Sequence, residues 1–161
     1  MEIAAASSYS DNNRETSNDK PEILRLNNLD DLVTALFICK DNYENLAIIT
    51  EMPEFSSAYF RHAAERANYA ATLYVNLSRY GALSVDESGK ILGGIMPGWR
   101  QASPIATEYD EDILLKNIVN SELEAIKQYN TYLRNHIPVI KDLNVLVGQR
   151  DAIKQAIKEL T

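Results

Sequence analysis

The chain has 161 residues, which is the size of one domain with a single hydrophobic core. It carries 16 Lys and Arg against 23 Asp and Glu, a formal net charge of −7, so we expect no nucleic acid or anionic membrane as a partner, because both bind basic surfaces. The single cysteine, Cys39, and only two histidines exclude a disulfide framework, a cysteine-cluster metal site and a histidine-rich metal site.

The N-terminal segment is rich in Ser, Asn and Asp and lacks the basic and apolar regions of a secretory signal. We therefore predict that residues 1–22 are a disordered or loosely docked tail and that residues 23–161 form the folded domain. The sequence contains no run of 18 apolar residues, so we expect no transmembrane helix. Together with the lone thiol, these features favour a cytoplasmic protein.

Apolar side chains recur at spacings of three and four in four long segments, which predicts four amphipathic helices at about 28–51, 53–80, 110–135 and 138–160. Asn28 or Asp30 is a candidate cap for the first helix, and Pro53 suits the first turn of the second. The apolar spacing predicts a buried stripe on each of these helices: Leu32, Leu36, Cys39, Tyr43 and Leu46 on the first, and Phe60, Ala64, Ala67, Ala71, Tyr74 and Leu77 on the second. The Gly- and Pro-containing residues 91–106 predict a short, broken helix in the central crossover. The predicted fold is thus an all-α, up-down four-helix bundle.

Two predicted helices share the pattern N-x-E-x-x-A-I, at residues 42–48 and 120–126. Its glutamates are Glu122, inside the apolar stripe of the third helix, and Glu44, beside the stripe of the first. A carboxylate that faces a core must be paired, hydrogen-bonded or metal-bound. Tyr43 and Tyr129 are near these positions, so their hydroxyl groups are candidate donors to the two carboxylates.

Ferritin-like di-metal proteins place a Glu on each of two helices and a Glu-x-x-His on each of the other two. This chain has the two glutamates and no Glu-x-x-His. The segments 65–68 (ERAN) and 149–152 (QRDA) come nearest, and His62 with Glu65 gives the pair in reverse order. The candidate metal ligands are therefore Glu44, Glu65 and Glu122, with His62 in support. No catalytic or organic-cofactor residue is predicted.

The same residues carry a family resemblance over about residues 26–160. It rests on CKDNYE at 39–44, the helix at 60–77, LGGIMPGW at 92–99, DEDIL at 110–114, and Glu122 followed by Tyr129. With these motifs the chain resembles a ferritin-like four-helix-bundle family of bacterial proteins of unknown function. That resemblance implies a ferritin-like bundle but no activity. The chain has Met96 where the family often has His, and no His near the end of the fourth helix.

Three functions stay open at this point. The two inward glutamates without Glu-x-x-His favour a non-enzymatic bundle with a degenerate di-metal site and no cofactor, acting through self-association as a homodimer or through a partner protein. One alternative is a carboxylate-bridged iron- or manganese-binding protein with ferroxidase- or oxidase-like chemistry. Another is a small-ligand carrier that uses the interior between the second helix and the Trp99 segment.

Overall fold

A computed structural model describes the backbone of residues 2–78 and 110–161 and the side chains of 21–78 and 110–161. Within these ranges all regular structure is helical, and no strand is present. The helices are α1 (Glu2–Ile49), α2 (Pro53–Ser78), α3 (Glu111–Asn135) and α4 (Ile140–Leu160). The predicted all-helical class is confirmed. The broken helix expected at 91–106, with Trp99, lies outside the described residues.

The predicted starts of α2 and α3 are confirmed and that of α1 is wrong. Asp110 caps α3 by accepting a hydrogen bond from the backbone N–H of Ile113 at 2.8 Å. Asn28, by contrast, lies inside α1, and its side-chain amide is 2.8 Å from Nε2 of His136. This tertiary contact uses the polar group that the sequence suggested as a cap. The helix also includes residues 2–22, and their separation from the bundle as a tail stays a prediction.

The buried face of α1 is the one predicted from its apolar spacing, since Leu32, Leu36, Cys39, Tyr43 and Leu46 are all buried. The prediction for α2 is confirmed at Leu77 and is otherwise displaced by about one residue. Its buried positions are Ala63, Arg66, Ala70, Leu73 and Leu77, whereas the predicted positions Phe60 and Ala64 are exposed. The face of α2 that packs in the core therefore includes Arg66. A prediction based on apolar residues alone does not include an arginine in a buried face.

Contacts between the helices define their directions. Asn28 lies near His136 and Tyr43 near Glu122, so α1 and α3 are antiparallel. Arg66 meets Glu122, and farther along Leu77 and Tyr132 both meet the guanidinium of Arg25 (at 2.7 and 3.2 Å), so α2 and α3 run in the same direction.

The short turns before α2 and α4 make each sequential pair antiparallel, which gives the order up, down, down, up. The predicted up-down alternation is therefore wrong at the central connection, where α2 and α3 are parallel. Helix α1 packs against α2 and α3, and α4 packs against α3 and, less closely, α2. Ser78 and Glu111, which flank residues 79–109, therefore lie at opposite ends of the bundle. None of the helices in the described part combines the length and apolar composition needed to cross a bilayer.

Candidate functional site

The centre of the bundle contains a carboxylate that is completely removed from solvent. Glu122 on α3 is 0% exposed. Arg66 on α2 donates from Nε to Oε1 at 2.8 Å and from Nη2 to Oε2 at 2.7 Å. The Tyr43 hydroxyl on α1 donates to Oε2 at 3.1 Å. We call these three side chains the Arg–Glu–Tyr cluster. It joins three helices through one carboxylate, and a bidentate pair of this kind fixes geometry as well as charge.

Arg66 is held in its charged form by its surroundings. Burial by itself disfavours a cation, but the hydrogen bonds and the negative charge of Glu122 outweigh it, so the pKa of Arg66 is raised above its ordinary value. The guanidinium carbon also lies 5.4 Å from the centre of the Tyr43 ring and 5.5 Å from that of Tyr69. Aromatic rings at these distances attract a cation. The guanidinium is thus enclosed by one carboxylate and two rings.

Tyr43 takes part in the cluster as a neutral donor. Burial, and then the nearby charge of Glu122, raise the pKa of the Tyr43 phenol, so it keeps its proton. Its ring stacks on the His62 imidazole with centroids 5.1 Å apart and on the Tyr59 ring at 6.5 Å. The expected hydrogen bond from a tyrosine to Glu122 is therefore present, with Tyr43 as its source.

Cys39 lies one turn before Tyr43 on α1 and is fully buried. Burial, and then the charge of Glu122, raise the pKa of its thiol well above the ordinary value. A thiol in this environment stays protonated, and the thiol form is a poor nucleophile. Cys39 therefore belongs to the core and not to a reactive site.

Tyr129 has a different partner from the one its position suggested. Its hydroxyl donates to Oε1 of Gln149 on α4 at 2.8 Å. The sequence made Tyr129 a candidate donor to one of the glutamates, and this role is wrong, although burial as the main cause, and to a smaller extent the charge of Glu122, raise the pKa of Tyr129. Gln149 stands in the segment that comes nearest to a Glu-x-x-His on α4, and as a neutral acceptor it satisfies the buried phenol.

Of the four candidate metal ligands, the structure brings together only His62 and Glu65, while Glu44 and Glu122 have other partners. Glu44 forms an ion pair with Lys40 on its own helix. Glu65 is 3.1 Å from Nδ1 of His62, and its side chain is 44% exposed. Glu122 is bound by Arg66. Among the side chains that the structure describes, no three His, Cys, Asp or Glu converge as a ligand group.

The arrangement around Glu122 does not fit a di-metal centre. Both carboxylate oxygens face donors, and the neighbouring charge is a guanidinium that proteins do not deprotonate. A divalent ion at about 2.0–2.2 Å from these oxygens would stand beside that cation in a poorly screened interior. Metal binding at Glu122 would thus require Arg66 to leave the carboxylate.

The sequence prediction missed Arg66, although a signal for it exists. Arg66 and Arg150 each follow the residue that heads one of the two segments nearest to Glu-x-x-His. The structure gives them opposite environments, because Arg66 is 1% exposed whereas Arg150 contacts Asn130 and Asp151 near the surface. The two arginines thus share a position in similar sequence segments but not their contacts. The structure distinguishes them because the side of α2 that carries Arg66 faces the core.

Comparison of the chain with protein-family models, with curated proteins and with solved structures gave no significant match.

Proposed function

We propose that this protein is a non-enzymatic, ferritin-like four-helix bundle in which the Arg–Glu–Tyr cluster takes the place of a di-metal centre, and that it acts through self-association. The single observation that carries this proposal is the bidentate bond from Arg66 to the buried Glu122. The guanidinium supplies, as part of the chain, the positive charge that a metal ion would otherwise bring to an inward carboxylate.

The course of the chain supports the ferritin-like part of the proposal. The helices run up, down, down, up, so one long connection, residues 79–109, joins two parallel helices. Ferritin-like bundles have a single long crossover connection, whereas simple up-down-up-down bundles have only short loops. The buried Glu122 on α3 supports the same proposal, because ferritin-like bundles project glutamates toward the core.

The chemistry of the cluster supports a structural and not a catalytic role. Glu122 accepts three hydrogen bonds and exposes no surface, so it cannot act as a base toward a substrate. Tyr43 and Cys39 both have raised pKa values and stay protonated. A nucleophile needs a lowered pKa or an adjacent base that is free to take its proton. The one carboxylate in this cluster is ion-paired with Arg66 through both oxygens.

Exposed apolar side chains at the turn between α3 and α4 support a role in association. Ile137 is 97% exposed, Ile140 is 75% exposed, and Val139 between them is also exposed. We call these three residues the turn surface. Adjacent exposed apolar side chains mark sites of protein contact. We propose that the turn surface contributes to a homodimer, and a partner protein at the same surface is the alternative.

Sedimentation velocity over a range of protein concentrations tests the association. We expect the wild-type protein to form a dimer and the double variant Ile137→Ser, Ile140→Ser to shift to monomer at the same concentration. Leu123→Ser is the control, because Leu123 is an exposed apolar residue, 51% exposed, that lies in the middle of α3 and away from the turn surface. A wild-type chain that stays monomeric throughout, or a double variant that dimerises like the control, would overturn self-association through this surface.

A further inference from the structure

A cavity of about 320 Å³ opens where residues 21–25 of α1, the end of α2 and the α3–α4 turn meet. Its wall includes Arg25, Leu77, Tyr132, Pro138 and Asp142. We propose that this cavity binds a small organic monocation, an ammonium group on an apolar body, with Asp142 as its anionic partner. This site is separate from the Arg–Glu–Tyr cluster, and it goes beyond the association proposed above although Ile137 and Val139 of the turn surface also line it.

Asp142 is the observation that points to a ligand. It lies in the first turn of α4 and is 3% exposed, and neither carboxylate oxygen accepts a hydrogen bond from any described residue. The positive end of the helix dipole favours a carboxylate there, but it does not replace the missing donors. A buried acceptor without a donor costs free energy, so a ligand that brings N–H groups gains affinity from this position.

The other polar groups of the cavity are largely occupied. Arg25 donates from Nη1 to the Leu77 carbonyl at 2.7 Å and to the Tyr132 hydroxyl at 3.2 Å, and Nη2 faces Glu22 at 3.4 Å. Only its Nε, also buried, has no acceptor in the described part of the chain.

His136 is bonded to Asn28, and burial lowers the pKa of its imidazole, which favours the neutral ring near pH 7. The carboxylates of Glu22 and Asp142 thus outnumber the one guanidinium in the cavity wall. Arg25 already has Glu22 as a counterion whereas Asp142 has none, so the charge balance selects a cation over an anion.

The size and the walls of the cavity define the rest of the ligand. A volume of 320 Å³ is at the lower end for small-molecule sites. Leu77, Pro138 and Val139 give the wall apolar surface that suits an alkyl or aryl body. Because both Asp142 oxygens are covered in this structure, the carboxylate turns toward the cavity when the ammonium enters.

Isothermal titration calorimetry on the full chain with three probes that share one apolar body tests the proposal. The probes are n-hexylammonium, 1-hexanol and hexanoate. We expect saturable binding of hexylammonium, with hexanol and hexanoate weaker by about tenfold or more. Equal affinity for hexanol and hexylammonium, tighter binding of hexanoate, or no saturable binding of hexylammonium would overturn it.

The variant Asp142→Asn keeps the shape of the side chain and removes its charge. We expect it to weaken hexylammonium binding by about tenfold or more, whereas the control Asp151→Asn, on the exposed side of the same helix, leaves it unchanged. Undiminished binding by Asp142→Asn overturns the assignment. If circular dichroism shows that this variant does not fold, Val139→Trp at the exposed rim narrows the cavity and leaves Asp142 intact. Loss of binding in that variant supports the site, and unchanged binding overturns it.

Discussion

Arg66 and Glu122 form two parallel hydrogen bonds, 2.8 and 2.7 Å long, between α2 and α3 in the centre of the bundle. Both side chains are removed from solvent. Two buried charges are expensive to desolvate, and each makes the other tolerable only while the pair is intact. The stability of the bundle should therefore respond very differently to the loss of one partner and to the loss of both.

Replacement of one member of the pair should be strongly destabilising. Arg66→Met leaves the Glu122 carboxylate buried without its cation, and we expect the free energy of unfolding to fall by about 3–5 kcal/mol. Urea denaturation followed by circular dichroism measures this change. Arg150→Met is the matched control. Arg150 is the second residue of the QRDA segment of α4, as Arg66 is of the ERAN segment of α2, but it lies near the surface. We expect it to change the free energy of unfolding by less than about 0.5 kcal/mol.

The double variant Arg66→Met, Glu122→Leu removes both charges and keeps similar volumes. We expect it to recover much of the stability that Arg66→Met loses, because no unpaired charge remains. A double variant that is less stable than Arg66→Met alone would show that the two residues do not act as a pair.

The two buried tyrosine hydroxyl groups should differ in what they contribute. Tyr43 donates to a carboxylate and Tyr129 to an amide oxygen. Hydrogen bonds to charged groups contribute about 1.5–3 kcal/mol and neutral ones about 0.5–1.5 kcal/mol, so Tyr43→Phe should lower the free energy of unfolding more than Tyr129→Phe. Both substitutions keep the ring. The reverse order in matched urea titrations would contradict the role given to Tyr43.

Burial of Cys39 should make stability fall at alkaline pH. The thiol has a raised pKa in the folded chain, so the unfolded chain loses its proton first as the pH rises past about 9. The unfolded state then binds fewer protons than the folded state, and the free energy of unfolding decreases with rising pH. Cys39→Ala should remove the part of this decrease that begins near pH 9.

A thiol reagent gives an independent measurement of the same residue. At pH 8 we expect no reaction of Cys39 with a disulfide reagent in the folded protein and complete reaction in urea. Rapid labelling of the folded chain would place the thiol at an accessible position, contrary to its burial.

Much of the fold follows from the sequence because it depends on apolar spacing. The buried face of α1 and the starts of α2 and α3 were predicted from spacing and from residues such as Pro53 and Asp110. The inward position of Glu122 was also predictable, because it interrupts an otherwise apolar stripe. These features are local, because each depends on single residues at a helix start or on residues three or four apart in one helix.

The partners of the buried polar groups were harder to predict, because they come from other helices. Arg66 was not recognised as a core residue, since a charged side chain counts against burial until its counterion is known. Tyr129 was assigned to a glutamate when it binds Gln149. Asn28 has the chemistry of a helix cap and uses it on His136 instead. In each case, the helix packing decides which of several possible hydrogen bonds forms.

The most direct test of the central claim is metal analysis by elemental mass spectrometry, before and after aerobic loading with ferrous iron and desalting. If Arg66 takes the place of the metal, the untagged wild-type protein retains no stoichiometric iron or manganese. The contrary result is one or two equivalents retained by the wild-type chain and lost in the variant Glu44→Gln, Glu122→Gln. It would make this protein a metal-binding bundle and would require Arg66 to leave Glu122.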